Sequence, residues 1–304
     1  MAKGLSSGNE ADLKVEDHCE YFADDASVDV ILAYLEGMVD PKRFMKKTKA
    51  ITNRKPMVIL KGGRTSSGES AANSHTGAMA VKDNLFAAMC RQNGIVLART
   101  MEEAGPIAAT FVNQPLPRGN RVAIITSGGG LGVLASDICV REGLEIVDLS
   151  KGLLDQIGKF LPGWWVPGNP IDLVAGGDYT SLVPMMELLI NSNEVDSIVV
   201  IFLGPPNSSW DATPEKYIEH MKNIPNRNTP HFNPDDFSMV FKKWFEMGRK
   251  KNVPLIPVTN ITDEKGIRMA EKQGNQPVAM HKGIDSACRA VDEITRYSRY
   301  RERL

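Results

Sequence analysis

Short apolar segments alternate with amphipathic segments through most of this chain, and this alternation limits the possible folds more than any other feature of the sequence. Each apolar segment is long enough for one buried strand: VDVILAYLEG, KPMVILK, RVAIIT, VDSIVVIFLG and VPLIPVT. The intervening segments have the apolar spacing of helices that pack on one side. Strands buried on both faces and joined by helices are typical of parallel sheets. The sequence therefore predicts an α/β fold with two tandem doubly wound parallel-sheet domains.

The segment PLPRGN, residues 115–120, is the predicted linker between these domains, because proline and glycine interrupt the pattern and a new strand follows at once. The boundary predicted from it divides the chain into residues 1–116 and 117–304. Residues 205–234 are rich in proline, asparagine and charge, and we expect them to form an irregular excursion outside the core. Asp40, followed by Pro41, and Asp83 are predicted to cap the helices that begin after them.

Composition and charge exclude several classes of function. The chain has 304 residues and a formal net charge of -1, which favours neither nucleic acid nor a membrane surface as a partner. No apolar run approaches the roughly 20 residues needed to span a bilayer, and the N-terminus lacks the apolar core of a signal peptide. The four cysteines have no metal-ligand spacing. We therefore expect a cytoplasmic protein without a bound metal.

One loop, GGRTSSGESAANSHTGAMA at residues 62–80, consists almost entirely of small residues and contains a histidine. Residues 63–70, GRTSSGES, match the phosphate-binding loop G-x-x-x-x-G-K-[ST] except that Glu69 replaces the lysine. That lysine supplies the positive charge for the outer phosphates of a nucleotide, and a glutamate would repel them. The sequence therefore excludes a nucleotide site of this type.

The histidine of this loop, His75, has two interpretations on spacing alone. A neutral imidazole is a nucleophile that can accept a phosphoryl group, provided that a carboxylate holds the ring in the right tautomer. Glu36 ends the strand VILAYLE and is expected at the same sheet edge. Alternatively, His75 only bonds the loop backbone or faces solvent. The other histidines are predicted to be surface residues: His18, His220, His231 and His281.

A second glycine-rich turn, TSGGGLG, joins the strand RVAII to a helix. It departs from the dinucleotide-binding pattern G-x-G-x-x-G, since Val133 stands at the third glycine position. Backbone N–H groups at a helix N-terminus still favour an anion site on Gly128, Gly129 and Gly130. The alternative, that the glycines only permit a tight turn, stays open. The turn PGNPIDL offers Asn169 and Asp172 as a possible second polar site, although such turns are more often structural.

Several of these motifs together resemble a known family. The segments VILAYLEGMVDPKRF, KPMVILKGGRTSSGESAANSHTGAMA, VAIITSGGGLGVLASD and GNPIDL are similar, in order and spacing, to the nucleoside-diphosphate-forming acyl-CoA synthetases. These are the ADP-forming acetate–CoA ligases, which are relatives of succinyl-CoA synthetase. The resemblance covers most of residues 1–204 and resumes over residues 276–304. It implies that both predicted domains are flavodoxin-like.

The resemblance also implies roles for individual residues. In this family a histidine carries a phosphoryl group between an acyl phosphate and ADP, and His75 matches it. Ser74, Thr76 and Gly77 match the loop around that histidine, and Glu36 matches the glutamate that orients it. The implied function is that of the phosphohistidine-carrying portion of an acyl-CoA synthetase.

The chain departs from the family pattern in the two domains that bind the substrates CoA and nucleotide. The N-terminal CoA-binding domain and the nucleotide-binding ATP-grasp domain are not recognised in it. We therefore expect CoA, and ATP or ADP with Mg²⁺, to be bound mainly by a CoA-binding domain and by an ATP-grasp domain or subunit outside this chain. We expect the chain to form an oligomer and to hold no tightly bound cofactor. We also expect that the chain alone does not complete a turnover. The alternative is a non-catalytic ligand-sensing or interaction module derived from such a synthetase.

Overall fold

The computed structural model of the chain describes residues 2–8, 10, 12–65, 67–68, 82–173, 179–202, 234–259, 267–269 and 279–304. Its contacts divide the chain into two compact units. Unit 1 is Met1–Val112 with Arg296–Leu304, and unit 2 is Asn113–Thr295. Strands of the described residues form two separate sheets, one in each unit. The predicted α/β fold with parallel sheets is thus confirmed. No helix within the described ranges is long and apolar enough to cross a membrane.

The described residues of unit 1 form a parallel sheet of three strands in the order β1-β2-β3. Its elements follow the predicted alternation: α1 (Val15–Asp24), β1 (Ile31–Leu35), α2 (Pro41–Thr52), β2 (Met57–Lys61), α3 (Asp83–Gln92), β3 (Val96–Ala98) and α4 (Met101–Asn113). Leu35 of β1 pairs with Lys61 of β2, so both strands end at the same level. The residues that follow these two strands are therefore neighbours at the carboxyl edge of the sheet.

The two predicted helix caps in unit 1 have different outcomes. Asp40 accepts hydrogen bonds from the backbone N–H groups of Lys42 and Arg43, both at 3.0 Å, and so begins α2 as predicted. The prediction for Asp83 is wrong. Lys82 occupies the N-cap position of α3, and Asp83 lies within the first turn. The carboxylate of Asp83 forms an ion pair with Arg64 instead.

The last residues of the chain pack in unit 1. The Tyr297 hydroxyl donates a 2.7 Å hydrogen bond to the carbonyl of Thr52, and its ring meets Phe111 edge-to-face at 5.3 Å. The Tyr300 ring covers Gly94, where a Cβ would lie only 2.2 Å from a ring carbon. Gly94 has a φ of +63°, which an L side chain rarely adopts. The predicted boundary at residue 116 places residues 296–304 in the second domain, whereas their contacts group them with unit 1.

Replacing Tyr297 by Phe is expected to lower the free energy of unfolding by about 1 kcal/mol, because the Thr52 carbonyl loses a buried hydrogen bond. Denaturant unfolding of the whole chain measures the change. Tyr21→Phe is the control, since Tyr21 is 58% exposed. Equal stability of the two variants would contradict the packing described for the C-terminal residues.

Unit 2 contains a larger sheet in the order β5-β4-β7-β8-β10-β9, with β6 also paired to β4. Its elements are β4 (Arg121–Thr126), α5 (Gly129–Glu142), β5 (Glu145–Ile146), α6 (Lys151–Ile157), β6 (Ile171–Asp172), α7 (Tyr179–Asn191), β7 (Ser197–Phe202), α8 (Pro234–Lys251), β8 (Leu255–Thr259), β9 (Ile267–Met269), β10 (Ala279–His281) and the first part of α9 (Ile284–Arg301). The remainder of α9, from Arg296, belongs to unit 1. A short 3-10 turn, Gly158–Phe160, follows α6.

Two details of unit 2 bear on the predictions from sequence. Strand β9 pairs antiparallel with β10, so this edge of the otherwise parallel sheet departs from the predicted pattern. The excursion predicted for residues 205–234 falls almost entirely outside the described residues, and Pro234 is the first residue of α8.

The central strands of unit 2 are buried on both faces, as the continuous apolar segments predict. In β4, Ala123 and Ile125 pack in one hydrophobic cluster, while Val122 and Ile124 pack in another. All four side chains have no exposed surface. Because successive side chains of a strand point to opposite faces, both faces of this sheet are covered.

Candidate functional site

Glu36 lies at the carboxyl edge of the sheet in unit 1, directly after β1. The backbone N–H of Gly62, the first residue after β2, donates a 2.7 Å hydrogen bond to the carbonyl of Leu35. The hydroxyl of Tyr34 donates to Glu36 Oε1 at 3.3 Å. Glu36 is therefore held beside the first residue of the loop that contains the predicted nucleophile, at the edge where the sequence places it.

Gly62 is required by the close approach of these two side chains. A Cβ at this position would lie 2.7 Å from the Tyr34 hydroxyl oxygen and 3.5 Å from Glu36 Cγ. Tyr34 is largely exposed, and partial desolvation raises the pKa of its phenol, while the charge and hydrogen bond of Glu36 raise it further. Tyr34 is thus a neutral hydrogen-bond donor to the carboxylate near neutral pH.

Two cations flank the start of the same loop and have different partners. Arg64 forms a two-point ion pair with Asp83, at 3.1 and 3.2 Å, and so connects the start of the loop to the helix that follows it. Lys61 is only 6% exposed, and its ammonium donates to the carbonyls of Gly62 and Gly63 at 3.3 and 3.2 Å. The sequence-based prediction missed Lys61, although a lysine that ends the apolar strand MVILK was an available signal.

The remaining predicted residues of this loop lie outside the described residues. They are Ser74, His75, Thr76 and Gly77, and their roles stay predictions. The described part of the site consists of the end of β1, the end of β2, residues 62–65 and the first turn of α3.

The second predicted site, at Gly128, Gly129 and Gly130, lies where β4 passes into α5. Thr126 Oγ1 accepts a hydrogen bond from Gly128 N at 3.2 Å and donates to Gly128 O at 2.9 Å, which fixes the turn. A Cβ on Gly129 would lie 2.8 Å from Asp172 Oδ2, whereas a Cβ on Gly130 would meet nothing within 4 Å. The N-terminus of α5 therefore has the Asp172 carboxylate beside it and an open side at Gly130.

The Asn169 side chain has a structural role near this turn, because it bonds backbone groups of adjacent segments. Strands β5 and β6 pair with the two ends of β4 and leave its middle without a partner on that side. The Asn169 side chain fills this gap, since its Oδ1 accepts from Ile124 N at 3.0 Å. Its Nδ2 donates to the carbonyls of Val122 and Val147 at 2.8 and 3.0 Å. Both polar atoms of the amide are thus committed to backbone groups.

Gly132 allows α5 to approach the turn that contains Asn169. A Cβ on Gly132 would lie 2.9 Å from Pro170 Cβ and 3.1 Å from Thr126 Cγ2. Pro170 follows Asn169 through a cis peptide bond. The three glycines of this segment therefore have different surroundings. Gly129 faces a carboxylate, Gly132 faces a proline ring and Gly130 faces open space.

Gly132→Ala is expected to lower the free energy of unfolding by about 1–3 kcal/mol, because the added methyl group overpacks against Pro170. Gly130→Ala is the matched control in the same helix and is expected to stabilise by up to about 1 kcal/mol, since alanine favours the helix. Denaturant unfolding separates the two effects. A Gly132→Ala variant as stable as Gly130→Ala would show that α5 does not pack on Pro170 as described.

His281 is not the surface residue that the sequence predicts. It ends β10, is only 1% exposed, and its Nδ1 lies 2.9 Å from the Ser286 hydroxyl. Burial lowers the pKa of His281 from its ordinary value of 6.5 to about 4. The imidazole is therefore neutral in the folded protein at physiological pH.

This buried imidazole predicts a pH dependence of stability. Below pH 6.5 the unfolded state binds a proton that the folded state takes up only near pH 4, so stability falls as the pH falls through this range. The slope is at most about 1.4 kcal/mol per pH unit. His281→Gln is expected to remove this contribution, while His18→Gln, at a partly exposed position, keeps it. Denaturant unfolding at pH 4 to 7 measures both slopes, and equal slopes would contradict the prediction.

Comparison with known protein families assigns a class to two consecutive segments of the chain. Residues 1–111 match the succinyl-CoA ligase like flavodoxin domain, and residues 122–205 match the Ligase-CoA domain. The chain thus contains two domains of the CoA-ligase class, one after the other.

Two similar proteins come from Pyrococcus furiosus. The chain is 36% identical over 219 residues to the α subunit of acetate–CoA ligase [ADP-forming] II, an alignment of 72% of this chain and 47% of that subunit. It is 30% identical over 298 residues to the α subunit of acetate–CoA ligase [ADP-forming] I, covering 98% of this chain and 58% of that subunit. The chain therefore spans about half the length of these relatives.

A solved structure shows the same fold. The dinucleotide-forming acetyl-coenzyme A synthetase 1 of Ca. Korarchaeum cryptofilum, determined in complex with phosphate and ADP, matches with a TM-score of 0.75 at 23% identity. The match covers 98% of this chain and 59% of that one. Together with the two domains and the α-subunit relatives, it confirms the resemblance. The chain belongs to the nucleoside-diphosphate-forming acyl-CoA synthetases and corresponds to part of their α-type portion.

Proposed function

We propose that this chain is the phosphohistidine-carrying portion of an ADP-forming acyl-CoA synthetase, with His75 as the carrier. The observation that supports it best is the position of Glu36. Tyr34 donates a hydrogen bond to this carboxylate, and Gly62 makes room for it at the start of the loop that contains His75. The proposal extends to this chain the activity named for its α-subunit relatives.

The proposed reaction has three transfers. Phosphate attacks the thioester carbon of acyl-CoA, the carbon–sulfur bond breaks, and an acyl phosphate and CoA form. A ring nitrogen of His75 then attacks the phosphorus, the bond to the acyl oxygen breaks, and the carboxylate leaves. Finally, a terminal oxygen of ADP attacks the same phosphorus, the nitrogen–phosphorus bond breaks, and ATP forms with His75 restored. All three transfers are reversible, so the same chain serves the synthesis of acyl-CoA.

Glu36 would orient the imidazole for these transfers. Only the ring nitrogen without a proton can attack phosphorus, so the other nitrogen must carry the proton. A carboxylate that accepts a hydrogen bond from that N–H selects this tautomer and stabilises the cation formed during transfer. Tyr34 donates to one oxygen of Glu36, which leaves the carboxylate with further acceptor capacity for an imidazole.

The glycine turn of unit 2 is the proposed docking point for a phosphoryl group. The backbone N–H groups of Gly129 and Gly130 at the start of α5 and the positive end of the helix dipole favour an anion there. Because the Asp172 carboxylate lies beside Gly129, we expect the anion on the open side at Gly130. CoA, and ATP or ADP with Mg²⁺, would be bound mainly by a CoA-binding domain and an ATP-grasp domain or subunit, so the chain alone would not complete a turnover.

The carrier role predicts phosphorylation of one residue. The chain, mixed with a partner ATP-grasp subunit and γ-labelled MgATP without an acyl acceptor, is expected to take up label that is labile in acid and stable in base. His75→Ala is expected to abolish the label, while His18→Gln keeps it. Label that persists in His75→Ala would contradict the role, and an unlabelled parent chain would favour the non-catalytic module.

Glu36→Gln is expected to slow the same labelling by roughly 10- to 100-fold, by analogy with the loss of a partner that orients a metal-ligating histidine. The unfolding transition should stay close to that of the parent, since the side chain is only partly buried. Glu302→Gln is the control, because Glu302 is an exposed carboxylate of the same unit. Equal labelling rates in the two variants would remove Glu36 from the mechanism.

A further inference from the structure

Lys61 is a buried cation at the carboxyl end of β2. It is 6% exposed, and its neighbours on the strand are the apolar residues of MVILK. The ammonium donates to the carbonyls of Gly62 and Gly63, the first two residues of the histidine loop, and lies 5.7 Å from the centre of the Phe86 ring. These contacts are with neutral groups only.

The other cation at this edge, Arg64, has its own anion, whereas Lys61 has none within the described residues. Arg64 is neutralised by Asp83, to which both of its hydrogen bonds run. Among the residues that the structure describes, no carboxylate lies within 4.0 Å of the Lys61 ammonium. A buried charge without a counter-ion costs free energy, because carbonyl oxygens replace the lost hydration only in part. In the described part of the chain, the Lys61 ammonium at the start of the loop therefore has carbonyl partners but no carboxylate partner.

We propose that Lys61 is an anion-binding residue for a phosphate dianion, either free phosphate or a phosphoryl group held on the loop. The carboxyl edge of parallel strands is where ligands bind in open α/β sheets. The phosphoryl form of the ligand rests on the proposed function of His75, whereas binding of free phosphate does not.

Inorganic phosphate is the first probe, titrated calorimetrically into the whole chain against sodium chloride of equal ionic strength. Lys61→Met is expected to lower the affinity for phosphate roughly 10- to 100-fold, as expected for the loss of a charge-assisted hydrogen bond. Lys61→Arg should restore part of it. Arg64→Gln is the matched control, because it removes a cation of the same loop that Asp83 already neutralises.

Phosphorylation from γ-labelled MgATP and the partner subunit is the second arm. Here Lys61→Met is expected to lower the extent of labelling or the half-life of the label by a similar factor, while Arg64→Gln changes neither. A defect in the phosphate arm alone assigns free phosphate to Lys61, and a defect in the labelling arm alone assigns the phosphoryl group. Unchanged behaviour in both arms would overturn the proposal.

Thermal unfolding separates this role from a structural one. Lys61→Met removes a buried charge at similar volume, so it is expected to unfold at no lower temperature than the parent. If neither Lys61→Met nor Lys61→Gln folds, the charge is structural and the proposal is wrong. The phosphate titration is repeated with His75→Ala, which keeps Lys61. A chain that binds phosphate through Lys61 but takes up no label would overturn the proposed function and leave this inference standing.

Discussion

Both candidate sites depend on one constraint. In each, a glycine after a strand lies in close contact with a side chain from a neighbouring segment. In unit 1 the Tyr34 hydroxyl and Glu36 lie against Gly62, and in unit 2 the Asp172 carboxylate lies against Gly129. A Cβ at either glycine would come within 3 Å of an oxygen atom. Parallel strands end at a common edge, and glycine lets polar groups of adjacent strands converge on the backbone there. The chemistry of the chain therefore follows from where its strands end.

The charged side chains at the carboxyl edge of the sheet in unit 1 have different partners and different effects on stability. Arg64 and Asp83 form an exposed pair that ties the loop start to α3, and such pairs contribute little to stability. Lys61 is buried beside the carbonyls of Gly62 and Gly63, an arrangement that is expected to cost stability. Glu36, with its tyrosine partner, is the carboxylate at the same edge of the sheet. Among the described residues, this edge thus has one cation without a carboxylate partner and one oriented carboxylate.

Much of the fold and part of the site could be predicted from the sequence. Buried parallel strands have a strong local signal, and the position of Glu36 follows because parallel strands share one carboxyl edge. The cap at Asp40 is equally local. The remaining features depend on contacts between distant segments: the return of Tyr297 to unit 1, the burial of His281 beside Ser286 and the burial of Lys61. Histidine and lysine are usually exposed, so residue type alone predicts exposed side chains at His281 and Lys61. Only the packed structure shows that both are buried.

Phosphorus NMR of the chain, after phosphorylation by MgATP and the partner subunit, distinguishes a phosphoryl group on His75 from one on a hydroxyl side chain. The loop contains serines and threonines as well as His75, and a phosphoramidate resonates apart from the phosphate esters that those hydroxyls would form. We expect one phosphoramidate signal, which is assigned to His75 by its absence in His75→Ala and disappears when ADP is added and ATP forms. A phosphate-ester signal, or a phosphoramidate that ADP does not discharge, would contradict this expectation.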